Sequence, residues 1–185
     1  RGGLPAPGQR RGAITVAAED TTYPVERTDA HLLPYSSRGP TWYEGYAKPD
    51  ITAPGHRVAA PAAPGSYLVT TYPQLVVNGN YLRLTGTSMA AAVTSGVAAL
   101  VIEANRAALP TVRPPLTPNT MKAIFEFTAF TMHDEQGVQY DHLTQGAGAL
   151  NADGALALAN AIDTSLVGSN WFISAFILLI TAGGV

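Results

Sequence analysis

The sequence predicts an α/β domain in which a mostly parallel sheet is flanked by helices. Three observations carry that expectation. Ala13-Ile14-Thr15-Val16-Ala17-Ala18 is a short apolar run without alternation, the pattern of a strand covered on both faces. From Ser88 to Ala108 the chain has no proline and is apolar almost all round, the pattern of a buried helix. Two further helices follow, each announced by a capping residue: Thr117 ahead of Pro118, and Asn151 ahead of an alanine- and leucine-rich stretch.

Composition sets the outer bounds. The 185 residues suffice for one domain with a sizeable core, and 46% hydrophobic against 13% charged residues implies a packed interior. Net charge is -2, and the 11 Lys and Arg are scattered, so no basic footprint for nucleic acid is present. Without cysteine there is neither a disulfide framework nor a thiolate metal site, and the compartment stays open on this feature. The chain begins at Arg1 with no charged-then-apolar leader, and its N-terminus is expected to be a cut end.

Residues 1–12 are rich in Gly, Pro and Arg and read as a loop ahead of a domain over 13–162. Glu19-Asp20 is expected to end the first strand. Gly39-Pro40 carries turn chemistry. Lys48 to Gly55 reads as a brief strand bracketed by prolines, with Val58-Ala59-Ala60 as its continuation. Asn78-Gly79 signals a hairpin between Leu75-Val76-Val77 and Tyr81-Leu82. In the long helix, Ala90, Ala91, Ala92, Gly96, Ala98 and Ala99 invite close neighbours, and Gly96 predicts a close contact. An amphipathic helix is expected from Pro118 through Met121, Ile124, Phe125 and Phe127, a polar loop over 130–145, and a last helix from Ala152 to Ile162. The uncharged tail over 163–185 reads either as the start of a further strand or domain or as a membrane segment, its dense apolar part being short for a span.

Ser88 is the residue with chemistry to explain. A glycine turn precedes it and a helix follows, so its hydroxyl falls where free N–H groups and the helix dipole favour negative charge. An N-capping serine would sit there too. Gly86-Thr87-Ser88-Met89-Ala90-Ala91, however, resembles the nucleophile motif of the subtilisin-like serine proteases.

The resemblance extends over six blocks in the family's order, covering about residues 13 to 160. Ala13 to Asp20 is similar to the strand after the family's oxyanion-hole segment. Ser36-Ser37-Arg38-Gly39-Pro40 and Lys48-Pro49-Asp50-Ile51-Thr52-Ala53-Pro54-Gly55 resemble the next two blocks. Gly86 to Leu100 resembles the nucleophile helix, Leu116 to Ala129 the helix after it, and Gly146 to Ala152 the closing block. What the resemblance implies is a serine endopeptidase acting on polypeptides, with Ser88 as nucleophile and Thr87 supporting the oxyanion beside it. Ala92 and Val93 depart from the proline and histidine usual in the family; alanine simply continues the helix.

A larger departure is that the family's Asp-[Ser/Thr]-Gly and His-Gly-Thr-His blocks, and its oxyanion-hole asparagine, do not occur. A serine needs a base, and the base an orienting carboxylate. The chain is therefore expected to be a partial doubly wound domain whose N-terminal half is missing, inactive alone, with an exposed face or edge. The family implies a secreted or cell-surface protein. It often binds calcium, with no residue here assignable to the ion.

Asp50, His56 and Ser88 imitate the family's order of triad residues, but Asp50 and His56 fall in a different block; His56 is expected to be a solvated turn residue. His31, His133 and His142 lie in polar stretches, and no histidine pair has metal-ligand spacing. Ser88, Asp134 and His142 run in the order of α/β-hydrolases, without the second glycine of a nucleophile elbow. A degenerate, non-catalytic binding domain is the remaining alternative.

Overall fold

In a computed structural model, residues 8–21, 30–108 and 114–164 are described. The tail over 165–185 therefore lies outside the described residues. Strands β1 (Val16–Asp20) and β3 (Ile51–Pro54) run parallel, with Val16 opposite Ile51 and Glu19 opposite Pro54. The two-residue strand β2 (His31–Leu32) adds antiparallel to the free edge of β1, so that the sheet order is β2-β1-β3. Ala17, Ala18, Ile51 and Ala53 are buried, as the unbroken apolar runs require.

The first strand ends at Glu19-Asp20, as expected, and Glu19 is buried with 1% of its surface exposed. A carboxylate is tolerated there only because it is bonded: the Thr52 hydroxyl on β3 donates to it.

Val58-Ala59-Ala60, by contrast, does not extend β3. Between them Arg57, at φ 52°, turns the chain away, and β4 (Val58–Pro61) joins a separate antiparallel sheet. There it pairs with β6 (Tyr81–Leu84), whose other edge takes β5 (Val76–Val77). The β5–β6 hairpin turns at Asn78 and Gly79, φ 50° and 72°, where both central residues must take positive φ. A one-turn helix α1 (Tyr67–Thr71) and a 3-10 turn (Pro73–Leu75) bridge β4 to β5.

Helix α2 (Thr87–Ala108) lies across β1 and β3 and against α5 (Ala152–Ala161), and α3 (Pro118–Thr128) also packs on α5. The core between them holds Ile51, Val101, Ile124, Phe125 and Leu150, with Ala18, Ala90, Ala155 and Ala159 where backbones approach. Both predicted caps form. Thr117 Oγ1 accepts from the Thr120 amide at 3.1 Å, and Asn151 Oδ1 from the Gly154 amide at 3.0 Å. Within the stretch read as a loop, Asp141 caps a single helical turn, α4 (His142–Gln145), too short to leave a periodic signal.

The long helix departs from expectation in one respect. It is not buried all round: only Ala90, Thr94, Val101 and Asn105 are, a single stripe facing the sheet and α5. Leu100 is 51% exposed, and a side chain added at Gly96 would meet nothing within 4 Å. The apolar residues on that outer face, Ala91, Ala92, Ala99 and Leu100, are left exposed by the described residues. Composition demanded a cover that these residues do not provide.

Candidate active site

Ser88 is the second residue of α2, and its side chain is exposed. The Met89 and Ala90 amides turn back to the Gly86 carbonyl at 3.0 and 3.4 Å, leaving the Ser88 amide without a backbone acceptor among the described residues. A polar N–H and a hydroxyl thus stand together at the positive end of a 22-residue helix dipole.

Two bonds hold that turn in place. The Gly86 amide donates to the Gly55 carbonyl at 2.8 Å, and the Arg57 amide donates to Thr85 Oγ1 at 2.9 Å. Gly55 is itself tied back to β1 by its amide, 2.9 Å from the Glu19 carbonyl. A methyl group on Gly55 would lie 2.6 Å from Ala18 Cβ and 2.9 Å from the Gly86 oxygen, so only glycine fits. Ser88 is thereby seated at the carboxyl ends of the parallel strands, where open α/β sheets present their ligand sites.

Around this seat stand Tyr35, Asp20, His31 and His56. The Tyr35 hydroxyl donates to the Gly55 carbonyl at 3.4 Å, and burial, aided by the charge of Asp20, raises its pKa above the usual phenol value. His56 occupies a turn as expected but is half-buried, with Nε2 3.9 Å from an Asp20 oxygen. His31 sits not in a loop but in β2, directly opposite Asp20. Among the described residues, no histidine hydrogen-bonds Ser88.

The imitation triad is taken apart by Asp50. Its side chain is buried, and both oxygens are occupied: Oδ2 by Lys48 Nζ and the Thr15 amide, Oδ1 by Lys122 Nζ, each at 2.6 Å. Sequence reading missed this hub, because Lys48 and Lys122 are 74 positions apart (122 − 48) and share no pattern. Burial lowers the Lys48 pKa, against the pull of Asp50. Burial also depresses Lys122, but the bonded carboxylate outweighs it and leaves that pKa raised. Glu126, 3.9 Å from Lys122, has its pKa raised by burial despite the lysine.

Asp134 and His142 are similarly committed locally. The Asp134 carboxylate accepts from the Gln136 and Val138 amides at 3.0 and 2.8 Å, and His142 Nδ1 lies 3.1 Å from the Gly146 carbonyl. His133 faces Gln139 in an isolated bridge. No three His, Asp or Glu side chains among the described residues gather as metal ligands, so none is assigned to calcium.

Comparison with known proteins bears on the same residues. Residues 3–154 match the Subtilase family. The chain belongs to the subtilase family. Over 153 residues this subtilase chain is 34% identical to Serine protease AprX of Bacillus subtilis, covering 83% of its own length and 31% of that protein. To Minor extracellular protease Vpr of the same organism it is 32% identical over 140 residues, 74% of this chain and 15% of the other. Among solved structures it resembles the patellamide maturation protease PatA, with a TM-score of 0.57 and 26% identity over 85% of this chain and 46% of that one. The subtilase chain thus spans less than a third of the length of these two relatives, and the α/β architecture is the one it shares with PatA.

Proposed function

We propose that this chain carries the nucleophile of a serine endopeptidase, and that Ser88 is that nucleophile. One observation supports the reading above the rest: in a subtilase, the serine of the Gly-Thr-Ser-Met-Ala motif is exposed at the open N-terminus of α2. Ser88 Oγ attacks the scissile carbonyl, the carbonyl oxygen becomes an oxyanion, and the Ser88 amide donates to it. Thr87 steadies the oxyanion side. Breakage of the tetrahedral adduct releases the amine portion and leaves an acyl-enzyme, which water then hydrolyses.

The proton taken from Ser88 goes to a histidine that this chain does not contribute. That histidine, the aspartate that orients it and a second oxyanion donor come from a further segment of the same domain. Its packing place is the apolar face of α2, around Gly96 and Leu100, that the described residues leave uncovered. Polypeptides are the substrate class, and a secreted or cell-surface setting agrees with the extracellular relative.

A fluorophosphonate probe tests both halves of the proposal. The full-length protein should be labelled rapidly at Ser88 and not in Ser88→Ala, whereas isolated residues 1–185 should label only at the slow rate of an unactivated hydroxyl. Rapid labelling of the isolated chain would refute the missing base; failure of the full-length protein to label would refute the nucleophile.

A further inference from the structure

Where backbone pairing between β1 and β3 runs out, side chains continue it for one more step. The last paired residues are Glu19 and Pro54, and the Gly55 amide still reaches the Glu19 carbonyl at 2.9 Å. At the next position the chains part, and there His56 Nε2 stands 3.9 Å from Asp20 Oδ2. We infer that His56 is a positioning residue for Ser88, acting with Asp20 to hold the turn that carries the serine. The inference rests on the endopeptidase reading for its consequence in the reaction, while the positioning itself stands on contacts away from the Ser88 side chain.

His56 is the pivot of that turn because both of its chain neighbours bond to it. Ahead of His56, the Gly55 carbonyl accepts from the Gly86 amide at 2.8 Å. After it, the Arg57 amide donates to Thr85 Oγ1 at 2.9 Å. A rotation of the backbone at His56 would therefore move the acceptor and the donor together, and with them the start of α2. The backbone does not rest easily in this shape. Arg57 takes φ 52°, a region that residues bearing a side chain enter at a cost and keep only where surrounding contacts enforce it. The Tyr35 hydroxyl, 3.4 Å from the Gly55 carbonyl, is one such contact, and the His56 side chain supplies another.

The ring is oriented for this task. Its Nδ1 is buried without a hydrogen-bond partner among the described residues, whereas Nε2 looks toward the carboxylate. A buried N–H with no acceptor is costly, so the proton of the neutral imidazole belongs on Nε2, and the N–H dipole points at Asp20. Asp20 is itself fixed on the sheet. It is the last residue of β1 and lies opposite His31 of β2 in the antiparallel ladder. Its charge also reaches the Tyr35 hydroxyl, whose pKa is raised by burial first and by Asp20 second. The contact thus ties a residue of the sheet to the pivot of the turn. With side-chain exposures of 34% and 32% the pair is partly screened, so its effect is a few-fold one.

The test separates the turn from the chemistry. In full-length protein carrying Ser88→Ala, hydrogen exchange of the Gly86 amide reads whether the turn is held. In full-length protein retaining Ser88, the rate of fluorophosphonate labelling reads whether the serine is placed. His56→Ala should speed the exchange and slow the labelling, each by about threefold to fivefold, with little change in the denaturant midpoint. His56→Gln, whose amide nitrogen can stand where Nε2 stands, should restore both. Asp20→Ala should match His56→Ala, and the double variant should be no worse than either, because the two side chains make one contact. Gly86 exchange or Ser88 labelling at the parent rate in His56→Ala, additive effects of the two alanine variants, or failure of glutamine to rescue overturns the inference. A full-length protein that does not label at all refutes the nucleophile reading instead, and the exchange rates then decide the positioning alone.

Discussion

The Gly86 amide and the Gly55 carbonyl meet at 2.8 Å, and through this bond the turn that presents Ser88 is fastened to the end of β3. Gly55 accepts that role only because it lacks a side chain, with Ala18 and the Gly86 oxygen both inside the space a methyl would fill. Gly55→Ala should cost about 1–3 kcal/mol of stability from overpacking. It should also slow fluorophosphonate labelling of Ser88 in the full-length protein more than an equally destabilising change elsewhere in the core. Urea unfolding together with labelling rates checks both.

Asp50 is the charge on which two lysines converge. Asp50→Ala strands Lys48, whose side chain is 2% exposed, as an unpaired buried cation. The expected loss is about 3–5 kcal/mol, the usual consequence of breaking a buried pair from one side. The double variant Asp50→Leu with Lys48→Met should recover much of that loss, since both buried charges then disappear. Denaturant midpoints of the two variants against the parent decide it.

Glu126 supplies a pH dependence of definite sign. Burial raises its pKa above the ordinary 4.5, so above that value the folded state binds more protons at this site than the unfolded one. Stability contributed by the protonated form is complete below 4.5 and is lost as pH rises through the raised folded value. Glu126→Gln should flatten this part of the profile. Chemical unfolding at a series of pH values from 4.5 upward reads the difference in slope.

Asn105 closes the far end of the core helix. Its Nδ2 donates to the Ala159 carbonyl at 2.8 Å and the Ile162 carbonyl at 2.9 Å, clamping the last turn of α5. Asn105→Ala should destabilise by about 1–3 kcal/mol, because two largely dehydrated acceptors lose their donor. Hydrogen exchange should rise first in the amides of α5. Uniform loosening of β1 and β3 instead would show that the clamp acts elsewhere.

Much of the local architecture could be read from residue order. Thr117-Pro118 and Asn151 start α3 and α5 where their chemistry says they should, and Asn78-Gly79 turns the β5–β6 hairpin. Errors arose where a long-range contact overrode a local cue. Val58 ought to extend β3, yet pairing with Leu84 draws it into another sheet. His56 gave no warning of its proximity to Asp20.

By itself, then, the sequence determined the caps, turns and apolar runs of this subtilase chain and placed Ser88 at a helix start. Those features depend on neighbours within a few residues, which the order of amino acids states directly. Tertiary structure decided which carboxylate the lysines share and which face of α2 the described residues leave bare. These depend on contacts between residues tens of positions apart, whose energies arise only after the chain has folded back upon itself and shed water between them.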